Sequence, residues 1–267
     1  MTLAALTLGL GLQIVVGSSL EHRTAQTIAF DRLRNELAQG TAPTGPFVSK
    51  HRLLPLGTPI ALIKIQSLRV QEVVGEGTTG SVLMSGPGHL RSTVFPGGAG
   101  TSVIYGRAAA YGGPFGQIGH LHRGERITVT TAVGTSTFRV LDVRKAGDRV
   151  KLPVAGKARL TLGTATGTPF VPSGVVWVDA DLVGTPLAAS APGVSTVPAD
   201  EQPLGNDTST VWALVLWLEA LLVALAGAVW TWHRRGHAQA WMIFSAPTIL
   251  VGYFVADQIV RLFPNMM

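Results

Sequence analysis

The sequence predicts a mostly β domain, built as a closed barrel or a sandwich, carried on three transmembrane helices. Two observations carry the membrane part. Charged residues make up 13% of the 267 positions, against roughly 25% in an ordinary soluble domain, and the mean hydropathy is +0.35. The deficit is also local. Glu21 is the first charged side chain, Glu219 stands alone between Val211 and Thr231, and Asp257 stands alone between Gln239 and Val260. A third observation carries the β part. The stretch from Pro59 to Gly184 breaks into about eight short β-type runs separated by Gly and Pro, a spacing unlike that of a parallel α/β sheet.

The elements follow in order. Residues 1–20 read as an N-terminal anchor: from Thr2 to about Val16 the chain is apolar with Gln13 as the one strongly polar group, and it reaches the spanning length of roughly 20 residues only when extended to Leu20. No basic stretch precedes them and no clear small-residue cleavage site stands before Glu21, so an uncleaved anchor is expected rather than a signal peptide. Residues 21–58 read as a helical stalk followed by a connector. Phe30, Leu33 and Leu37 fall at helical spacing with Gly40 as the stop, and Pro43, Pro46 and Pro55 mark extended chain. Residues 59–184 contain the β runs ALIKIQ, RVQEVV, TSVIYG, RITVTT, STFRVLDV, DRVKL, ARLTLGT and VVWVDAD. Residues 185–210, rich in Pro, Ala, Ser and Thr, read as a flexible tether.

The remaining spans are 211–231 and 239–263, long and rich in Leu, Val and Ala. Trp212, Trp230, Trp232 and Trp241 lie near their ends, as interfacial aromatic residues do. Between them, residues 232–238 form a short loop containing His233-Arg234-Arg235-Gly236-His237. The positive-inside rule places that loop in the cytoplasm. The β domain is then extracytoplasmic and the first span runs outward, which makes the chain a multi-pass protein of the plasma membrane.

Composition excludes several classes of function. The net charge of +6 comes from scattered residues, Arg outnumbering Lys sixteen to five, with no basic run or interleaved aromatics, so no nucleic-acid partner is expected. Cysteine is absent, which removes disulfides, thiolate metal sites and any cysteine nucleophile. The glycines at 97, 98, 100, 112 and 113 serve turns rather than phosphate binding, because no helix follows them. No cofactor and no metal site are expected.

The segment from Glu76 is the most specific part of the chain. Val73 to Gly77 reads Val-Val-Gly-Glu-Gly. Gly86-Pro87-Gly88-His89 and Pro96-Gly97 follow, then a strand ending in Gly106, Tyr111 with Pro114-Phe115, a turn from Leu121 to Glu125, and Leu160-Thr161-Leu162. As a set these features resemble the sortases, membrane-anchored cysteine transpeptidases of Gram-positive bacteria, and most of all the actinobacterial class E type. The resemblance covers about Pro59–Gly184 and implies a closed, mostly antiparallel β-barrel.

It also implies a catalytic set that this chain lacks. Sortases cut a sorting signal with a Cys nucleophile, a His acid/base and an Arg at the oxyanion, each answering a need of acyl transfer. The family's Gly-His-Arg is here Gly106-Arg107-Ala108, its Thr-Cys is Thr164-Ala165, and its later Arg falls at Ser173-Gly174. Arg107, Ala165 and Gly174 are therefore degenerate positions. A guanidinium stays charged and shuttles no protons. It either binds a carboxylate or is solvated. Thr164 and Thr166 flank Ala165 without a recognisable base, and His120 and His122 read as solvated.

These replacements point to a catalytically inactive, sortase-like pseudoenzyme serving as a binding, scaffold or accessory subunit of a membrane or cell-envelope complex. Arg107, His89 and Thr164 are its candidate groove residues, and its partner is a membrane protein or an envelope peptide. The alternative is an active transpeptidase or hydrolase with an unorthodox nucleophile. Within the membrane, Glu219 lies about 12 Å along its helix at 1.5 Å per residue. An acid at that depth is costly unless protonated or paired. Gln13 lies at similar depth in the first span, so a Gln13–Glu219 contact is expected, with a partner subunit's helix as the other choice. Asp257 reads as an interfacial acid.

Overall fold

The computed structural model describes residues 17–49, 52–168, 171–187, 191–202, 205, 211–262 and 265–266. The chain divides into two compact units, one of residues 1–18 with 206–263, the other of residues 19–205 with 264–267.

The larger unit is built on a closed barrel. Its strands are β3 (Pro59–Ile65), β4 (Val70–Glu76), β5 (Gly88–His89), β6 (Gly100–Tyr105), β7 (Arg126–Thr131), β8 (Gly134–Lys145), β9 (Ala158–Thr168) and β10 (Val171–Leu182). They close in the order β10-β8-β7-β3-β4-β5-β6-β9. Most neighbours are antiparallel, while β4–β5 and β6–β9 are parallel. The alternation predicted for β strands is present in the side chains. Ala61, Ile63 and Ile65 of β3, Ile127 and Val129 of β7, and Phe138 and Val140 of β8 are buried, with Lys64 and Arg139 pointing out. These residues meet Leu160, Leu162, Val178 and Phe115 in one apolar core.

Two strand assignments change. The run at 148–152 is a loop in which Val150 and Leu152 are exposed, because no neighbouring strand takes up its backbone. Lys151 instead bonds Asp142 at 2.7 Å, and its carbonyl accepts from Arg159. The eighth stave is β5, two residues inside Gly-Pro-Gly-His, too short to leave a periodic trace.

The predicted stalk is a helix, α1 (Ser18–Gln39), but it is docked and not free. Its Gln26 carboxamide accepts from Val73 N–H at 2.7 Å and donates to Val73 O at 3.2 Å and Ser85 O at 2.8 Å. His22 pairs with Glu72 at 3.2 Å, and Leu33 is buried. The connector holds a small antiparallel pair, β1 (Phe47–Ser49) and β2 (Arg52–Leu53). A short helix, α2 (Gly80–Ser85), buries Val82, Leu83 and Met84.

The described part of the expected tether, residues 185–187, 191–202 and 205, is bonded to the barrel. Leu187 N–H donates to Gly97 O at 2.8 Å, and the Gly193 and Val194 amides donate to Arg91 O. Glu201, 1% exposed, forms an ion pair with Arg91. Its carbonyl accepts from the Thr78 hydroxyl at 2.7 Å. A sequence without periodicity is thus held by side chains from distant strands.

The smaller unit is a helical hairpin. Helices α3 (Val211–Arg235) and α4 (His237–Arg261) are separated by Gly236 alone, at φ +90°. The expected loop 232–238 is therefore mostly the helix ends themselves, since one left-handed glycine suffices to reverse the chain. Trp217 stacks on Phe254 at 4.4 Å, and a Cβ at Gly227 would lie 2.7 Å from the Phe244 ring. Both helices are long and apolar enough to cross a membrane. Leu216, Leu222, Val223, Met242 and Ile249 point outward, the reverse of a soluble core. The described residues thus hold two such helices where three were expected, and residues 1–16 of the first expected span, with Gln13, lie outside them.

Candidate functional site

Strands β6, β9 and β10 stand side by side; of the three positions expected to be degenerate, Ala165 lies on β9, Gly174 on β10, and Arg107 two residues beyond the end of β6. β6 and β9 pair in parallel up to Tyr105 opposite Gly163. The pairing runs one residue further. Gly106 N–H donates to Gly163 O at 3.1 Å, and the Thr164 hydroxyl donates to Gly106 O at 2.8 Å. Only glycine fits at 106, because a Cβ there would lie 2.5 Å from the Phe115 ring. The next residue, Arg107, begins the loop over the outer face of the wall.

Pleating sorts the side chains by parity. Leu160 and Leu162 of β9, with Val176 and Val178 of β10, enter the barrel core. Ala165, with its neighbours Val175 and Trp177, belongs to a second apolar cluster with Leu83, Leu90, Tyr105 and Met266. Val175 is the register partner of Ala165, while Gly174 pairs with Thr166. A side chain at 174 would therefore project on the opposite face from Ala165, with Thr166 Oγ1 as its neighbour at 3.5 Å. Period-two alternation makes Val175, not Gly174, the position sharing Ala165's face.

Arg107 is fully enclosed. Its Nη2 donates to Gly80 O at 3.3 Å, and Cζ lies 5.1 Å from the centre of the Tyr111 ring, a cation–π distance. The solvated alternative is thereby excluded. Tyr105 packs edge-on to Trp177 at 5.5 Å, and burial pushes its phenol up to about 12. Arg91, held by its hydrogen bond to Glu201 against the opposing effect of burial, has its pKa raised.

The cluster is filled. Met266 is fully buried in it, and its carbonyl accepts from Ala108 N–H at 3.0 Å. Asn265 donates through its backbone N–H to Gly205 O at 2.8 Å and through Nδ2 to Asp200 O and Gln202 O. Neither residue is marked in the sequence. They follow a span and carry no motif, and their significance comes only from distant partners.

The other candidates separate. His89 is fully buried apart from the groove, with Nδ1 2.9 Å from Glu76 Oε2 and Nε2 3.0 Å from Val94 O. Phe95 lies edge-on to its ring. It is a core histidine, not a groove residue, because both ring nitrogens are taken by neighbours inside the fold. Thr164 is buried with its hydroxyl committed to Gly106 O. His120 and His122 are exposed. Among the described residues no group of three or more His, Asp or Glu is arranged to hold a metal ion. The wall therefore presents a buried cation, a methyl group at Ala165 and an occupied apolar pocket.

The sortase-domain family model matches residues 63–179. A solved structure of the sortase D5 transpeptidase of Clostridium perfringens is similar at a TM-score of 0.50 and 21% identity, over 60% of this chain and 99% of that one. Sortase E1 from Streptomyces coelicolor, solved with a tripeptide in its active site, gives 0.43 at 22% identity, over 49% and 91% of the two chains. Sortase A from Corynebacterium diphtheriae gives 0.44 at 21%, over 61% and 84%. No curated protein matches the chain.

Proposed function

Because residues 63–179 form a sortase-family domain, we propose that this chain is a catalytically inactive sortase-like protein. In this reading it is a multi-pass plasma-membrane protein that serves as an extracytoplasmic binding, scaffold or accessory subunit of a membrane or cell-envelope complex. What supports the reading is the wall: by the family pattern the sequence resembles, the buried Ala165 falls where the nucleophile would stand and the enclosed Arg107 where the acid/base would stand. Acyl transfer needs a nucleophile whose proton a neighbouring base removes, and then an acid for the leaving amine. A methyl group and a permanent cation supply neither. The rescue hydroxyl at Thr164 is already donated to Gly106 O, which speaks against an unorthodox nucleophile.

The orientation rests on Arg234 and Arg235 at the hairpin tip, which favour the cytoplasm. With 211–235 running inward and 237–261 outward, the barrel lies outside. The deciding assay incubates the full chain in mild detergent with fluorogenic sorting peptides and an acceptor amine. No cleavage or transfer product is expected. Product formed by the unmodified protein would falsify the proposal. The variant Ala165→Cys alone is also expected to remain inactive, because Arg107 still cannot give a proton to the leaving amine.

A further inference from the structure

We propose that the pocket on the outer face of β6, β9 and β10 is a peptide-binding site whose resident ligand is the chain's own Asn265–Met266. This deepens the reading of the chain as a non-catalytic binding protein and rests on it. The site reads both halves of the dipeptide. The Met266 side chain fills the space between Leu83, Leu90, Tyr105 and Ala165, and Ala108 N–H holds its carbonyl at 3.0 Å. The Asn265 carboxamide donates to Asp200 O at 2.8 Å within the turn Ala199–Glu201 and to Gln202 O at 3.1 Å beside it, while its backbone N–H donates to Gly205 O at 2.8 Å.

That turn is itself built in. The Arg91–Glu201 ion pair and the Thr78 hydroxyl fasten it to the barrel. Recognition of one carboxamide and one unbranched apolar side chain, here presented from a turn, is the chemistry of a sequence-selective peptide site. Its floor includes Ala165. A thioether adapts to an irregular gap, and the small side chain at 165 leaves it room. An outside peptide must displace this segment to enter.

The absence of cysteine from the sequence makes a clean test. The full-length double variant Ala165→Cys with Met266→Cys, in detergent, is oxidised with copper-phenanthroline and examined on a non-reducing gel. An intramolecular crosslink within the monomer is expected, with both thiols lost to maleimide labelling. Thiols that stay unlinked and label at the rate of the SDS-unfolded chain would overturn the proposal. A crosslinked dimer would overturn the assignment to the same chain.

Oxidation of the unsubstituted protein by peroxide covers a double variant that fails to fold, with tandem mass spectrometry resolving Met266 from Met267. Sulfoxide formation follows exposure, so Met266 should react on the order of tenfold more slowly than in the SDS-unfolded chain. Equal rates would overturn the proposal. Neither readout depends on turnover, so peptide cleavage would remove the inactive reading while leaving the bound segment in place.

Discussion

Tyr105 packs against Trp177 on the outer wall, and its burial has a measurable consequence in alkali. A phenol becomes charged only on losing its proton, and a site that excludes water opposes that loss. The native value of about 12 stands above the ordinary 10.0. The stabilisation is therefore complete below pH 10 and is lost as pH rises through 12, by about 2–3 kcal/mol. Thermal unfolding followed from pH 8 to pH 12 should show a steeper alkaline loss than in Tyr105→Phe. Parallel slopes for the two proteins would refute it. At the same scale, flanking residues give Ala165 and Arg107 their expected places in the pattern the sequence resembles. The face of Gly174 was not legible, since no local feature marks the bulge between Pro172 and Gly174 that sets which residues share a face.

Helix α1 shows how an element can be legible while its packing is not. Phe30, Leu33 and Leu37 disclose a helix. Its docking depends on Gln26, whose carboxamide engages both main-chain groups of Val73 much as another strand would. Such a contact joins residues 47 positions apart and leaves no periodicity to read. Truncation in Gln26→Ala leaves the Val73 amide and carbonyl without these partners. The cost of such deletions is about 1–3 kcal/mol where water cannot replace the lost bonds. Urea denaturation should show a lowered midpoint with little change in slope, and an unchanged midpoint would mean that water satisfies β4 equally well. The strands of the barrel were the opposite case. Ile63, Ile65, Ile127 and Val129 alternate plainly, whereas β5 is defined only by its neighbours, and the run at 148–152 has strand composition without a strand to pair with.

At the scale of the whole molecule, the hairpin carries the one acid of its first helix on an outward surface. Glu219 is exposed on α3, and in a membrane-spanning α3 it would stand where a carboxylate is costly unless protonated or paired. A polar contact between helices in a membrane contributes about 0.6–2 kcal/mol. For the intact protein in mild detergent, Glu219→Leu should reduce recovery of a co-purifying membrane partner, while Asp257→Asn should not. Equal recovery from both variants would show that Glu219 makes no such contact. The two apolar helices were legible because hydropathy is additive along a segment. The division of the chain into units was not, because it joins residues 19–205 with 264–267 across an intervening hairpin.

That discontinuity has a consequence in time. A ribosome that has finished Gly205 must still translate the whole hairpin before Met266 exists. At about 5–20 residues per second this takes roughly 3–12 seconds. Throughout that interval the wall around Ala165 lacks its final side chain, though every strand of the barrel has already been made. Nascent chains arrested between residues 205 and 263 should therefore expose Leu83, Leu90 and Tyr105 to a hydrophobic probe, and release of the arrest should bury them again.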